Sequence, residues 1–411
     1  MRTRTNISPQ PQKANRAALA FIFAVALLDM IGLSILIPIQ AYVVRQYSDD
    51  ALTVTLLTVI YAAAQFCAAP LLGTLSDRYG RRPVLLISVL GSALGYFMFG
   101  LGGALWVLFL SRLIDGLSGG NISTASAYIA DVTPPQERAK SFALLGAAFG
   151  LGFILGPALA GPLSQISLSA PAYAAGALSL LSAAAGYFVL PESLPPERRV
   201  GARLSWQALN PFAPVVELLR RPPLRALLLA HCLFNFVVMG YNTITPVLLI
   251  ERFGVRPAGL AGLLAIVGVA NVLVQALLVG RLAAWLGERR LATVSLLFQA
   301  LNLASVVVVP AFWMLFPISA IASGGAGPFR PALSALLANR VPAEEQGKLN
   351  GVSAALASLM SVFGPLWAGA MYDRLAPGAP FWIGAALLLM TMALLARVRS
   401  SVSARPAAEI G

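Results

Sequence analysis

The sequence predicts an all-α membrane protein whose twelve transmembrane helices form two pseudo-symmetric six-helix bundles. Three observations carry this. First, the 411-residue chain is 58% hydrophobic and only 11% charged, with a mean hydropathy of +0.79. A water-soluble domain covers itself with about 25% charged residues, so much of this surface must face lipid. Second, apolar runs of about 20 residues, each able to cross a ~30 Å hydrocarbon core, recur along the chain. Third, short motifs return in order at an offset of 207–208 residues.

The runs lie near 17–44, 51–75, 83–103, 105–130, 141–165, 172–190, 226–250, 258–280, 291–311, 313–339, 349–372 and 379–396. Glycine and proline inside them are tolerated in membrane helices. The first run follows a polar, basic stretch and is too long for a cleaved signal peptide, so it is expected to be a retained helix. The longest polar stretch, 191–225, contains PESLPPERR, LNPFAP and RRPP. It is expected to link an N-terminal bundle (1–190) to a C-terminal bundle (226–411).

The repeat is carried by three matches. Gly73–Gly80 followed by Arg81 and Arg82 returns as Gly280–Gly287 followed by Glu288, Arg289 and Arg290. Gly156-Pro157 returns as Gly364-Pro365, and Pro135–Lys140 as Ala343–Lys348. Parallel repeats of six spans about an axis normal to the membrane are a transporter architecture.

The net charge of +13 is unevenly placed. One alternate set of connections holds Arg2, Arg4, Lys13 and Arg16, then Arg78, Arg81 and Arg82, then Arg138 and Lys140. It continues with Arg198, Arg199, Arg203, Arg220, Arg221 and Arg225, with Arg281, Arg289 and Arg290, with Arg340 and Lys348, and with Arg397, Arg399 and Arg405. The other set holds Arg45, Arg252, Arg256 and Arg374. By the positive-inside rule the basic loops and both termini are expected in the cytoplasm. The basic residues are not interleaved with aromatics as in single-strand binders, so no nucleic-acid partner is expected. Cys67 and Cys232 fit no metal motif, and no metal or cofactor is expected.

The loop Gly73-Thr-Leu-Ser-Asp77-Arg78-Tyr-Gly80-Arg81-Arg82 joins the second and third runs. Gly73 would let another helix approach closely. Gly80 supplies a permissive turn, and Asp77 can cap a helix or accept from arginine. This loop resembles the signature loop of the major facilitator superfamily, G-x-x-x-D-R-x-G-R-R/K, at every defined position. The resemblance implies a latch that ties the cytoplasmic ends of the halves in the outward-open state, with Asp131 pairing with Arg81. The fifth run, GFILGPALAG, resembles the superfamily's antiporter motif through Gly152, Gly156, Pro157 and Gly161, with Ala160 replacing one glycine. Nearly the whole chain resembles the twelve-span drug:proton antiporters, and within them the tetracycline exporters. There the resemblance implies acids in spans three and nine and a histidine in span eight. Here Gly95, Gln299 and Asn271 stand at those positions.

Charges well inside a span are costly, at least ~2.5–3.5 kcal/mol, and are by default functional. Asp29 and Asp115 are the two embedded acids, and Arg112 and Arg330 the two embedded cations. Asp29 falls near the membrane midplane, and a helical-wheel count puts Asp29, Gly32 and Leu36 on one face, expected to line the cavity. Arg112 and Asp115 are three apart and can meet on one helix face. Arg112 matches the family's span-four arginine linked to proton transfer; Asp115 is not part of that pattern. Asp29, Arg112 and Asp115 are therefore the candidates for proton coupling, with Asp29 the first carrier. Gln65, Asn121, Asn235, Tyr241, Gln299 and Arg330 are candidate cavity residues. Arg330 has two readings, a cavity group that selects an anion or an interfacial anchor. Gly116-Leu-Ser118-Gly-Gly120 fits a hydrolase pattern but sits within a membrane helix with no triad partners, so no enzyme is expected.

The expected protein is thus a proton-coupled exporter of amphiphilic drug-like molecules, with tetracycline among the candidates, in the bacterial inner membrane. It is expected to act as a monomer by alternating access. A metabolite symporter or uniporter on the same fold, and a non-transporting membrane sensor, remain alternatives, since fold does not fix function.

Overall fold

The structure is a computed structural model in which residues 16–119, 121–134, 137–199 and 212–397 are described. The basic positions Arg2, Arg4, Lys13, Arg203, Arg399 and Arg405 lie outside them, as do the side chains of Asn121 and Arg397.

Sixteen α-helices follow one another: α1 (Arg16–Val44), α2 (Ala51–Tyr79), α3 (Arg81–Leu101), α4 (Leu105–Ser118), α5 (Asn121–Val132), α6 (Arg138–Ile166), α7 (Ala170–Val189) and α8 (Phe212–Leu219). Then come α9 (Pro222–Phe253), α10 (Pro257–Leu277), α11 (Val279–Leu286), α12 (Glu288–Val308), α13 (Leu315–Ala326), α14 (Phe329–Ala338), α15 (Gln346–Arg374) and α16 (Ala379–Arg397). No strand occurs among the described residues. Eleven helical stretches there are long and apolar enough to cross a membrane. Of the expected span 105–130, α4 and α5 are described on either side of Gly120, which lies outside the described residues. Large apolar side chains such as Ile87, Leu101, Leu181 and Phe188 are more than 60% exposed, as a lipid-facing surface requires.

Close backbone approach builds each set of helices. α6 packs along α1, and α15 along α9. A Cβ on Gly152 would sit 2.4 Å from Met30 Cβ, and one on Gly156 only 1.9 Å from Ser34 Oγ and 2.8 Å from the Ile35 backbone nitrogen. Ser34 Oγ lies within hydrogen-bond reach of the carbonyls of Met30 (2.7 Å) and Gly152 (2.8 Å), so it cannot simply swing away. The repeat partner behaves alike: a Cβ on Gly364 would lie 2.3 Å from the Phe236 carbonyl oxygen. Gly156→Ala is therefore expected to cost about 1–3 kcal/mol of stability, the range for overpacking a dense core. A thermal melt of purified protein reads this, and an unchanged melting point would contradict the packing account.

Two helix pairs, α2 with α15 and α6 with α10, form the seam between the halves. Toward the end opposite the basic loops the seam is tight. Gly369 abuts Thr55 and Leu52, Gly268 abuts Ile154, and Gly161 meets Ala261 at ordinary contact distance. At the basic end a Cβ on Gly73, Gly146, Gly347 or Gly351 would meet nothing within 4 Å. Gly73, expected to admit a close neighbour, thus has none within 4 Å of a Cβ among the described residues. Glu217 of the short helix α8 pairs with Lys348 of α15 and with Arg221 at the start of α9, and Arg221 pairs in turn with Glu345. The hydrogen bond from Lys348 holds the Glu217 carboxyl below its ordinary range, and that from Arg221 does the same for Glu345.

Candidate functional site

Four assemblies follow from this arrangement: a buried ionic cluster, a cavity on the seam, the basic-end loop and a set of contacts at the opposite end.

The ionic cluster is built by α1, α2, α3 and α4. Arg112 and Asp115 are 2% and 1% exposed and pair at 3.0 Å (Nη1 to Oδ2), one helical turn apart on α4. The guanidinium carbon lies 4.8 Å from the Phe99 ring centre and 5.5 Å from that of Tyr96, so both ring faces add cation–π attraction. Ser92 of α3 also hydrogen-bonds Asp115. Arg112 Nε and Nη2 have no hydrogen-bond partner among the described residues. The pair is therefore neutralised but under-satisfied, a costly state in low dielectric. Gly32 of α1 lies against the Tyr96 ring, and Gly116 of α4 against the Tyr61 backbone of α2, which joins both helices to the cluster.

Gly95 of α3 lies directly against this pair. A Cβ there would fall 2.9 Å from Asp115 Cβ and 2.9 Å from the Ser111 carbonyl oxygen. The space that a side chain at 95 would take is occupied by Asp115. The helical-wheel expectation for α1 needs correction in the same region. Gly32 and Leu36 are buried, and a Cβ on Gly32 would touch the Tyr96 ring, so this face packs inward on α3 rather than on the cavity. Ile37 is the α1 residue that reaches the cavity.

The cavity, of about 430 Å³, lies on the seam. Ile37, Gly150, Phe153 and Pro157 contribute from the first set of helices, and residues of α9, α10 and α12–α14 from the second. Its wall is chiefly apolar, with Tyr241, Asn242, Asn271, Gln275, Gln299 and Asn302 as polar points. Arg330 is the one charged side chain on the wall among the described residues. Its Nη2 donates to Asn235 Oδ1 at 2.9 Å, and Asn235 in turn donates to the His231 carbonyl. Of the cavity candidates, Tyr241, Gln299 and Arg330 are on the wall. Asn235 is buried behind it, where it orients Arg330. Gln65 points elsewhere, donating to the carbonyl of Gly119 at the end of α4 at 2.9 Å. The Asn121 side chain lies outside the described residues. Phe153 was not legible as a lining residue, because α6 is apolar all round and carries no stripe.

In the basic-end loop, Arg81 pairs with Asp77 (2.6 Å) and Asp131 (3.2 Å), so the expected contact between Arg81 and Asp131 is present. Gly80 has φ +106°, a conformation that side chains avoid. Its missing Cβ also leaves room for Glu192, whose carboxylate accepts from the amides of Arg81 (2.8 Å) and Arg82 (3.3 Å) at the start of α3. Arg78 stacks on Tyr79, and Arg82 donates to the Tyr187 carbonyl. All these partners belong to the first set of helices.

The opposite end carries the polar links described between the halves, and none of these residues stood out in the sequence as a site. Glu251 of α9 pairs with Arg45 just beyond α1 and accepts from Tyr372 of α15. Asp373 of α15 accepts from the amides of Ala51 (3.1 Å) and Leu52 (2.8 Å), capping the start of α2. Tyr42 donates to the Val255 carbonyl.

The family model described as Major Facilitator Superfamily matches residues 22–312 and 276–411. The chain is 35% identical over 392 residues to the class C tetracycline resistance protein of Escherichia coli, covering 94% of this chain and 98% of that protein. It is 28% identical over 344 residues to multidrug resistance protein 2 of Bacillus subtilis (strain 168), covering 84% and 86%. Among solved structures, the human organic anion transporter MFSD10 superposes with a TM-score of 0.69 at 24% identity, covering 93% of this chain and 100% of that one. This last likeness is one of fold.

Proposed function

The chain belongs to the major facilitator superfamily, and from that premise we propose that it exports amphiphilic drug-like molecules across the bacterial inner membrane in exchange for protons. The observation that carries this reading is the seam cavity of about 430 Å³, apolar-walled and with Arg330 as its single charge among the described residues. That size and lining suit a drug-sized molecule with an apolar body and one acidic or electron-rich group. The relatives named for tetracycline and multidrug resistance support the same substrate class.

The basic loops and both termini lie in the cytoplasm on this reading, so the cavity opens inward. Substrate enters from the cytoplasm or inner leaflet and its polar group meets Arg330. Asp29 is the proton carrier, and Arg112 with Asp115 the charge pair that its protonation releases. Asp29 and the cavity residue Ile37 share α1, and α1 is locked to α6 through Gly152 and Gly156. Phe153 and Pro157 of α6 line the cavity, so a shift of α1 moves the wall. One proton moving down ~100 mV supplies about 2.3 kcal/mol, enough for roughly a 45-fold gradient of a neutral substrate. The protein works as a monomer, with residues 1–190 and 226–411 rocking about the cavity.

Energised inverted vesicles loaded with a pH-sensitive dye test this. Adding tetracycline, a lipophilic cation and a neutral drug in turn should trigger proton release with at least one of them. Asp29→Asn is expected to slow that release by at least about 100-fold, the span of general acid–base effects. Undiminished coupling in Asp29→Asn would remove Asp29 from the proton route. No response to any compound from correctly folded protein would favour a metabolite transporter.

A further inference from the structure

The second concavity, about 890 Å³, lies outside the seam at the basic end of the C-terminal helices. Arg289, Arg290 and Arg340 line it over a floor that includes Leu227, Val294 and Leu336. Glu288 is the one acid on this wall among the described residues, and it accepts from Asn339 at 3.2 Å.

The internal repeat shows why this charge is unusual. In the first half, Arg81 is matched by Asp77 and Asp131, and Glu192 accepts from the backbone amides of Arg81 and Arg82. The positions equivalent to Asp77 and Asp131 in the second half are Ala284 and Asn339. One tie is kept: Arg82 donates to the Tyr187 carbonyl, and Arg289 to the carbonyls of Leu395 and Ala396. Glu288 stands where Arg81 does and Arg289 where Arg82 does, and the second half adds Arg290 and Arg340 where the first has Pro83 and Val132. Burial, and after it the positive charge of Arg289, lowers the Arg340 guanidinium from its ordinary value. Two guanidinium groups that repel each other favour an anion between them.

The position of the cleft says which anion. Trp285, 81% exposed, precedes it on α11, and such aromatics mark the headgroup level of a bilayer. From Arg290 the exposed face of α12 continues through Val294 (39%), Leu297 (41%) and Leu301 (56%) at helical spacing, an apolar row running into the membrane. A ligand with its charge at the arginines and a hydrocarbon chain along that row fits both features. We propose that this cleft holds the phosphate headgroup of an anionic phospholipid, whose acyl chain lies along Val294, Leu297 and Leu301.

The full chain in detergent is titrated with phosphatidylglycerol, phosphatidylcholine or inorganic phosphate, and the retained ligand is counted by native mass spectrometry. Wild type should hold one phosphatidylglycerol in clear preference to phosphatidylcholine. Arg290→Gln with Arg340→Gln should weaken it about 30-fold, at roughly one surface arginine's worth of lipid attraction each. Arg289 is left intact because it ties down the end of α16. Lys140→Gln, on the same side of the protein but in the other half, should leave binding unchanged. If the double variant does not fold, the exposed single variant Arg290→Glu gives the same reading. Equal retention in variant and wild type, or phosphatidylcholine binding as well as phosphatidylglycerol, overturns the site. Displacement by inorganic phosphate at equal concentration overturns the assignment to a lipid.

Discussion

Replacing Asp115 with glycine is expected to stop transport, and adding Gly95→Asp is expected to restore part of it. Arg112 is 2% exposed, and Asp115 is its ion-pair partner at 3.0 Å. Removing one member of a buried pair costs about 3–5 kcal/mol, because the remaining charge is left uncompensated. The Tyr96 and Phe99 faces offset only ~1–2 kcal/mol of that. Transport should fall by at least about 100-fold, at 1.4 kcal/mol per factor of ten. The rescue follows from geometry. A side chain on Gly95 points into the volume that Asp115 fills, with Cβ positions 2.9 Å apart, so the carboxylate can be supplied from α3 instead of α4. Recovery should be incomplete, since the Ser111 carbonyl also lies 2.9 Å from the new Cβ and α3 must move slightly away. Vesicle transport assays on the single and double variants, with melting curves to verify folding, read the result. A double variant no more active than Asp115→Gly would show that α3 cannot supply that charge, and would leave Asp115 irreplaceable on α4.

Glu251→Gln combined with Asp373→Asn is expected to open the end opposite the basic loops. Glu251 holds Arg45 and Tyr372 together, and Asp373 caps two amides of α2 at 3.1 and 2.8 Å. An exposed ion pair contributes about 0.2–1 kcal/mol, and a capping carboxylate about 0.5–2 kcal/mol. Losing both shifts the equilibrium between the two access states by about tenfold toward the open far end. Spin labels at cysteines replacing Asp49 and Ala376, in a background with Cys67→Ser and Cys232→Ala, should show a longer-distance population. An unchanged distance distribution would mean that these contacts accompany closure without biasing it. Transport should change severalfold rather than vanish, because none of these residues touches the cavity.

The sequence by itself determined the spans, the duplication, the basic face and the composition of the basic-end loop. It also showed that Arg112 and Asp115 meet. Each of these is local or additive: a ~20-residue apolar run spans a bilayer whatever it packs against, and residues three apart on one helix are neighbours by helical geometry alone.

Only the tertiary structure decided the rest. It turned Gln65 toward Gly119, set Asn235 behind Arg330, opened the space at Gly73 and brought Asp115 into the place of a side chain at Gly95. It also joined Glu251 to Arg45 and Asp373 to α2, residues more than 200 positions apart. The physical reason is that a helix apolar on every side carries no stripe to fix its rotation. In lipid no hydrophobic gradient chooses its inner face. Which face turns inward is then set by small residues that admit a neighbour's backbone, and by rare polar groups finding partners on other helices, and both depend on the assembled bundle.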